Sequence, residues 1–360
     1  MILVIIADHY LIFAMLFIQL KGLHHTGDIQ LATILYIATA IGLFIVTQTN
    51  GDWEIVRHTL KEKALTSVAV SEGVIIAGTA NGIWRSSDNG ISWYESNDRL
   101  SIRHARWIIS SSYTPLTFLI GTEPAGIFVS SDGGKIWSSK PEIGKLRDTN
   151  GWFLPYSPKA GCVRGFAIAK PDNDRGRMYA AVEVGGVLIS DDSGKTWNLA
   201  EGSDGNPDIS RELGTMIHPD VHSITVHRTS SDLVTAATGG GLYRSADGGR
   251  NWKNIYRCYI RAIWVDPANA QHIIAGPADG VSRNGRIEES YDGGQTWHLA
   301  SDGMMSAPWS RHMVERFVQL DNDLFAVLSN GELWRKRLDG PSWHRVLSEI
   351  RQIKAIAAVK

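Results

Sequence analysis

The stretch that decides the fold is Ser290-Tyr291-Asp292-Gly293-Gly294-Gln295-Thr296-Trp297. The same pattern, S-x-D-x-G-x-[T/S/N/I]-W, occurs four more times upstream. The acids and tryptophans of the five copies are Asp88 and Trp93, Asp132 and Trp137, Asp192 and Trp197, Asp247 and Trp252, and Asp292 and Trp297. Consecutive acids are 44, 60, 55 and 45 residues apart, and self-similarity at such a period predicts a propeller or a solenoid.

The chemistry of the pattern is that of a hairpin turn. Asp and Ser side chains bond nearby backbone amides, Gly supplies positive φ, and the Trp starts the next strand by packing between layers. Each copy follows a short strand that opens on Gly, such as residues 82–85, and before it an apolar strand and an alternating strand. Four strands per repeat, with the pattern at the third-to-fourth turn, predict a propeller blade. We therefore interpret the five acids and five tryptophans as structural.

These residues resemble the Asp-box (BNR) repeats of sialidase-like, sortilin-like and photosystem-assembly-factor propellers. The resemblance covers about residues 53–360 and implies a single all-β propeller. It does not separate enzymes from binding proteins, because the box is a structural turn that both kinds of protein share.

The number of blades follows from the number of repeats. A sixth copy, which lacks the Ser and is one residue shorter, ends at Trp343. We therefore predict six blades and keep seven as the alternative. Residues 52–56 resemble a fourth strand and residues 353–359 a first strand. The two chain ends therefore either share one blade or build a partial seventh. We assign the propeller domain to residues 49–360.

Residues 1–48 are far more apolar than the rest and are predicted to be a membrane-anchor segment. The run 31–46, with its flanks, reaches the ~20 residues that cross a bilayer, while the apolar run 1–20 is interrupted by Asp8 and His9. A helical hairpin is the first interpretation, and a single anchor at 29–48 is the second. An apolar tail buried on the propeller, or a mis-assigned start, is the third. Charge bias weakly favours a cytoplasmic propeller, whereas the family resemblance implies an extracytoplasmic one.

Composition excludes several classes of function. The net charge of −1 provides no field that would recruit nucleic acid, so we expect no nucleic-acid partner. Two cysteines, Cys162 and Cys258, are too few for a disulfide framework. No phosphate-binding loop, nucleophile elbow or Cys-based metal motif occurs, so no cofactor is predicted. We expect the propeller to be monomeric.

Cationic side chains recur at one register of the predicted first strands. In a propeller these strands line the channel and begin on the face opposite the Asp-box turns. Alignment on their apolar residues places a polar residue at the channel mouth of most blades. The predicted ligand-binding set is Arg164, His222, Arg261 and Arg316, with Arg103 or Arg106 in blade two. Guanidinium groups bind oxyanions bidentately, which favours an acidic peptide or a glycan as ligand. Salt bridges to neighbouring blades are the alternative for each Arg.

The same face carries carboxylates that are candidates for catalysis, namely Glu183, Asp220 and Glu123. Two carboxylates at suitable separation would serve glycoside hydrolysis. The alternative is that Glu183 neutralises Arg164 or Arg261. The segment 218–222 contains two His and one Asp, but the sequence identifies no further metal ligand. We therefore predict a loop-to-strand turn there and no metal site.

Two functions compete on this basis. The first is a binding or scaffolding propeller that uses an Arg-lined face to hold an acidic protein segment or a glycan. The second is a glycoside hydrolase, sialidase-like or xyloglucanase-like. A sialidase has an early Arg-Ile-Pro motif, whereas the only Arg-Ile here, at 286–287, lies late and is followed by Glu288. A xyloglucanase uses two propellers, and this chain has one. We therefore favour binding over catalysis.

Overall fold

The repeats fold into seven four-stranded antiparallel sheets, the blades of one propeller. The computed structural model describes residues 33–49, 51–154, 156, 160–171, 176–304 and 312–359. The prediction of an all-β propeller of four-stranded blades is confirmed. The preference for six blades is wrong, and the alternative of seven is correct.

The strands are short and follow one another in chain order. Strands β1 (Ile34–Thr39), β2 (Gly42–Thr49) and β3 (Asp52–Thr59) belong to the blade that closes the ring, blade 7. Blade 1 comprises β4 (Leu65–Ser71), β5 (Val74–Thr79), β6 (Gly82–Ser86) and β7 (Tyr94–Glu95), and blade 2 comprises β8 (Ala105–Ser110), β9 (Phe118–Thr122), β10 (Ile127–Ser130) and β11 (Ser138–Ser139). Blade 3 comprises β12 (Cys162–Ile168), β13 (Met178–Glu183), β14 (Gly186–Ser190) and β15 (Asn198–Leu199). A helix, α1 (Pro141–Asn150), connects blades 2 and 3.

The remaining blades repeat the same order. Blade 4 comprises β16 (Val221–Val226), β17 (Val234–Thr238), β18 (Gly241–Ser245) and β19 (Lys253–Tyr256). Blade 5 comprises β20 (Tyr259–Val265), β21 (Ile273–Ala278), β22 (Glu288–Ser290) and β23 (His298–Leu299), and blade 6 comprises β24 (Val314–Leu320), β25 (Asp323–Leu328), β26 (Leu333–Arg337) and β27 (His344–Val346). The innermost strand of blade 7 is β28 (Ile353–Val359), which pairs with β1.

Blade 7 therefore joins the two ends of the described chain. Its innermost strand is C-terminal and its other three strands are N-terminal, which closes the ring with backbone hydrogen bonds. The innermost strands contact one another in the order β4, β8, β12, β16, β20, β24, β28 and back to β4. An apolar cluster fills each interface between neighbouring blades.

The apolar run that suggested a membrane span is the β1–β2 hairpin. Leu35 and Ile37 pack towards blade 6, whereas Tyr36 and Leu43 pack towards blade 1. A strand buried on both faces has no polar alternation, so its sequence resembles a membrane helix. The turn of this hairpin is held by Thr39, whose hydroxyl donates to the carbonyl of residue 42 at 2.8 Å.

The membrane-anchor prediction is therefore wrong for the second apolar span. Residues 34–49 are strands of the propeller, not a helix. Within the described ranges, no helix combines the length and apolarity needed to cross a bilayer. This finding overturns the predicted membrane localisation on either side. The first apolar run, 1–20, and the turn at 21–28 lie outside the described residues.

Candidate functional site

Every innermost strand carries one extra residue near its start. At this point two residues of the strand oppose one residue of its partner, which is a β-bulge. The bulge residues of blades 1 to 7 are Thr66, Arg106, Arg164, His222, Arg261, Glu315 and Lys354. Thr66, Arg106, Arg164, Glu315 and Lys354 line one cavity of about 420 Å³. The bulges thus bring residues that are distant in sequence to one end of the channel.

Two of the predicted cations occupy other positions. In blade 6 the bulge residue is Glu315, and Arg316 follows it. Strand β24 has apolar residues at both Phe317 and Val318. The alternation of polar and apolar residues therefore could not show which residue of this strand lies at the bulge. In blade 2 the bulge residue is Arg106, whereas Arg103 is exposed and precedes β8. Arg316 still lines the cavity.

Arg164 and Arg261 are held by carboxylates. Arg164 Nη1 lies 3.0 Å from Glu183 Oε2, and its Nη2 lies 3.4 Å from Glu315 Oε2. Arg261 Nη1 lies 2.5 Å from Glu315 Oε1, and its Nε donates to the Tyr259 hydroxyl at 3.0 Å. Arg261 therefore pairs with a residue of the neighbouring blade, whereas Arg164 pairs with Glu183 of its own blade and with Glu315 of blade 6. Glu315 was missed, although it stands one residue before a predicted site residue.

The carboxylates of Glu183 and Glu315 are ionised because of these arginine partners. Burial raises the pKa of Glu183, but Arg164, His222 and hydrogen bonds from Cys162 and Tyr156 together hold it at about 2. Burial likewise opposes ionisation of Glu315, and Arg164 and Arg261 more than offset it, so its pKa is lowered. The pKa of Arg164 is raised because Glu183 and Glu315 outweigh the effect of its burial.

Arg316 has a different environment. Its guanidinium carbon lies 3.5 Å from the centroid of the Trp107 ring, which is a cation–π contact. Its Nη2 lies 3.5 Å from the carbonyl oxygen of Thr66. Burial and the nearby charge of Arg164 lower the pKa of Arg316 to about 9, and Glu315 opposes this only in part. Among the described residues Arg316 forms no ion pair, because both oxygens of Glu315 are taken by Arg164 and Arg261.

The catalytic candidate Glu123 lies beside Arg106. Its Oε2 is 3.4 Å from Arg106 Nε and 3.9 Å from His104 Nδ1. Burial lowers the pKa of His104, although the Glu123 charge opposes the shift. Glu123 is thus a neighbour of Arg106, which lines the cavity.

The third catalytic candidate, Asp220, lies beside His222. His222 Nε2 is 3.2 Å from Asp220 Oδ1, and His222 Nδ1 bonds the carbonyl of Ile260 at 2.6 Å. The turn before β16 is fixed by the carbonyl of Pro219, which accepts hydrogen bonds from two backbone amides of blade 3. Burial raises the pKa of Asp220, but His222 outweighs it and the net pKa is lowered. One ligand atom from each of Asp220, His222 and Glu183 lies within 4.8 Å of the other two.

The Asp-box side chains lie at the other ends of the blades and hold turns. In the second copy, Asp132 Oδ1 accepts hydrogen bonds from the Ser130 hydroxyl at 2.7 Å and from the backbone amides of Lys135 and Ile136 at 2.9 and 3.2 Å. Equivalent bonds hold the acids Asp88, Asp192, Asp247 and Asp292. Of the tryptophans, Trp137, Trp197 and Trp252 are buried, and Trp93 and Trp297 are partly buried. These hydrogen bonds and the burial of the tryptophans give the Asp-box residues a structural role.

Similar solved structures share this fold. A structure entitled "YCF48 bound to D1 peptide" matches with a TM-score of 0.57 and 15% identity, over 86% of this chain and 93% of that one. YCF48 from Cyanidioschyzon merolae matches with a TM-score of 0.55 and 14% identity, over 88% and 98%. An ancestral GH74 enzyme matches with a TM-score of 0.54 and 16% identity, over 83% of this chain but only 38% of that one.

The likenesses establish the fold and no more. They confirm the predicted resemblance to photosystem-assembly-factor propellers at the level of architecture. No protein-family model matches the chain, and no curated protein matches it in sequence. The Asp-box repeats are thus recognised from their own residues and hydrogen bonds.

Proposed function

We propose that the chain is a binding or scaffolding propeller that holds an acidic peptide segment at the cation-lined end of its channel. The observation that carries the proposal is the environment of Arg316. Arg316 is partly buried, and a partly desolvated guanidinium is stabilised when an anion pairs with it. Arg316 is stacked on Trp107 and forms no ion pair among the described residues, so an anionic ligand would supply its missing negative counter-charge.

The charges around the cavity support the same ligand. Four cationic side chains and a single carboxylate line it, and these are Arg106, Arg164, Arg316, Lys354 and Glu315. An Arg fork binds a carboxylate through two parallel hydrogen bonds, and a lysine adds a point charge. A cavity of about 420 Å³ accommodates one or two acidic side chains or a chain-terminal carboxylate. A carboxylate-bearing glycan is the second ligand class with this chemistry.

The carboxylates support binding over glycoside hydrolysis. A glycosidase needs a general acid whose pKa is raised. The pKa of Glu183 is held at about 2 and that of Asp220 is lowered, so neither side chain retains a proton near neutral pH. The likeness to a GH74 enzyme concerns the fold alone, whereas the similar YCF48 structure has a peptide bound.

The experiment is a screen of the purified chain against acidic, neutral and basic peptides, with free or amidated C-termini, and against acidic glycans. The test variant is Arg316→Met, which keeps the apolar contact with Trp107. The control is Arg244→Met, because burial also lowers the pKa of Arg244 but this residue lies at the Asp-box end of β18. We expect capture of acidic peptides that Arg316→Met loses and Arg244→Met retains. Consumption of a glycan, or equal capture by both variants, would overturn the proposal.

A further inference from the structure

A cluster of three side chains that can ligate a metal lies between blades 3 and 4, and it does not include Arg316. Glu183 is the last residue of β13, and Asp220 and His222 flank the first residue of β16. Their nearest ligand atoms, one imidazole nitrogen and two carboxylate oxygens, all lie within 4.8 Å of one another. From these three residues we propose that the chain binds a divalent transition-metal ion of the zinc class at this point.

The state of His222 is the first argument. Its side chain is 0% exposed, and its Nδ1 lies 2.6 Å from the carbonyl oxygen of Ile260. A carbonyl only accepts hydrogen bonds, so Nδ1 carries a proton, and Nε2 is the ring atom that can present a lone pair to a metal ion. A backbone carbonyl on the far nitrogen is the usual support of a metal-binding histidine. Nε2 itself has no hydrogen-bond partner among the described residues.

The spacing is the second argument. His222 Nε2 and Asp220 Oδ1 are 3.2 Å apart, and neither atom forms a hydrogen bond with any further group among the described residues. Bonds of about 2 Å in a tetrahedral zinc site place neighbouring ligand atoms about 3.3 Å apart. The two atoms thus have the separation of two ligands of one ion. A carboxylate oxygen of Glu183 lies within 4.8 Å of both atoms, and Arg164 and Cys162 both donate to Glu183 Oε2.

The charge balance is the third argument. Arg164 and Arg261 pair with Glu183 and Glu315, whereas the ionic contact of Asp220 among the described residues is with His222. One negative charge therefore has no guanidinium partner, and it lies on Asp220. A cation between Asp220 and His222 would balance it. Imidazole and carboxylate together suit zinc and its neighbours better than Mg²⁺ or Ca²⁺, which prefer oxygen ligands alone.

The backbone leaves room for Asp220. A Cβ at Gly239 would lie 2.3 Å from Asp220 Oδ2, so a larger residue at position 239 would displace this carboxylate. The Gly239 amide also donates to the Asp220 carbonyl at 2.9 Å, which fixes the turn that carries the side chain. The three protein ligands leave a fourth position open for water or for another ligand, as in zinc sites that are not purely structural.

The test is titration of the chelator-treated full chain with Zn²⁺ by calorimetry and with Co²⁺ by absorption, with Mg²⁺ as a comparison. We expect one equivalent of Zn²⁺ to bind, and Co²⁺ to give the visible bands of a nitrogen-containing, low-coordinate site. Loss of a ligand in Asp220→Asn or His222→Gln should weaken binding at least as much as the roughly 10–100-fold cost of losing an outer-shell partner. Asp220→Asn is the more conservative change, because the Asp220 side chain is 23% exposed.

The matched control is His272→Gln. His272 also lies between two carboxylates, Asp266 and Glu289, at 3.2 and 2.6 Å, but both ring nitrogens are hydrogen-bonded and Lys336 neutralises Glu289. This variant should bind Zn²⁺ as the wild type does. Absence of Zn²⁺ binding by the wild type, or equal binding by wild type and folded Asp220→Asn, would contradict the metal site. Neither result would affect the peptide proposal, which rests on Arg316.

Discussion

The guanidinium of Arg316 in blade 6 lies 3.5 Å from the ring centroid of Trp107 in blade 2. Blades 7 and 1 separate these two blades on the shorter path, so the contact crosses the channel. The Arg164–Glu315 ion pair also crosses it, from blade 3 to blade 6. Charged groups therefore bridge the channel, and among those that the structure describes Arg316 forms no ion pair with a carboxylate.

Trp107→Leu should weaken capture of an acidic peptide even though Trp107 carries no charge. Loss of a desolvated cation–π contact is worth about 1–2 kcal/mol, and it leaves the Arg316 side chain less well positioned. Fluorescence anisotropy with a labelled acidic peptide measures the change. Trp84→Leu removes another Trp–cation contact, with Lys63 at 4.6 Å, outside the cavity and should have no effect. Unchanged affinity in Trp107→Leu would show that the ring does not position Arg316.

Glu183→Gln should destabilise the propeller most at neutral pH. The folded pKa of Glu183, about 2, lies below its ordinary 4.5, so its contribution is present above about pH 4.5 and is lost as the pH falls through 2. Removal of one member of a buried ion pair costs about 3 kcal/mol. Urea unfolding in the presence of a chelator, from pH 7 to 2, should show the gap between variant and wild type closing below pH 4.5. A gap that does not change with pH would contradict an ionic origin.

The N-terminal hairpin offers a test of the seventh blade. Leu43 in β2 is 0% exposed and packs towards blade 1, so Leu43→Ala should lower the free energy of unfolding by about 2–5 kcal/mol. Ile41, in the turn of the same hairpin, is 47% exposed, and Ile41→Ala should change it by less than about 0.5 kcal/mol. Chemical denaturation followed by Trp fluorescence measures both. Equal, small effects would mean that residues 34–49 do not belong to the propeller.

The Asp-box acids should matter for stability and not for binding. Asp132→Ala removes three hydrogen bonds that converge on Oδ1 and should cost about 1–2 kcal/mol, as the loss of a capping side chain does. Asp132→Asn keeps an acceptor at that position and should cost less. Thermal unfolding measures the difference, and peptide affinity should be unchanged in both variants. A loss of affinity would give the box face a role in ligand binding.

The sequence was sufficient to predict the blades that carry the Asp-box. Their turn is local, since Ser130, Asp132 and the amides they bond all lie within one turn. The seventh blade has no box, and its strands are split between the two chain ends. One local signal was available. The Thr-x-x-Gly turns at 79–82 and 238–241, in which the Thr hydroxyl donates to the Gly carbonyl, occur again at 39–42 within the apolar run.

The register of the bulge residues could be predicted from the sequence, but their charge balance could not. Alternation gave Arg164, His222 and Arg261 the same register, at which the bulges lie, because an apolar residue follows each of them at the same distance. It failed in blade 6, where two successive apolar residues hid the shift from Glu315 to Arg316. Which cations are neutralised depends on contacts across the channel between blades 3, 5 and 6. Contacts of this kind produce no periodic pattern in the sequence.

The central claim is that Arg316 is the anion-binding group of the channel. The measurement that tests it most directly is the calorimetric affinity of the strongest acidic peptide for the wild type, Arg316→Met and Arg244→Met, at low and high salt. We expect Arg316→Met to bind about 30-fold more weakly or worse, since loss of one partner of a buried charge pair costs about 2 kcal/mol or more. The wild-type affinity should fall with salt, and Arg244→Met should match the wild type. Equal affinity of all three proteins would contradict the claim.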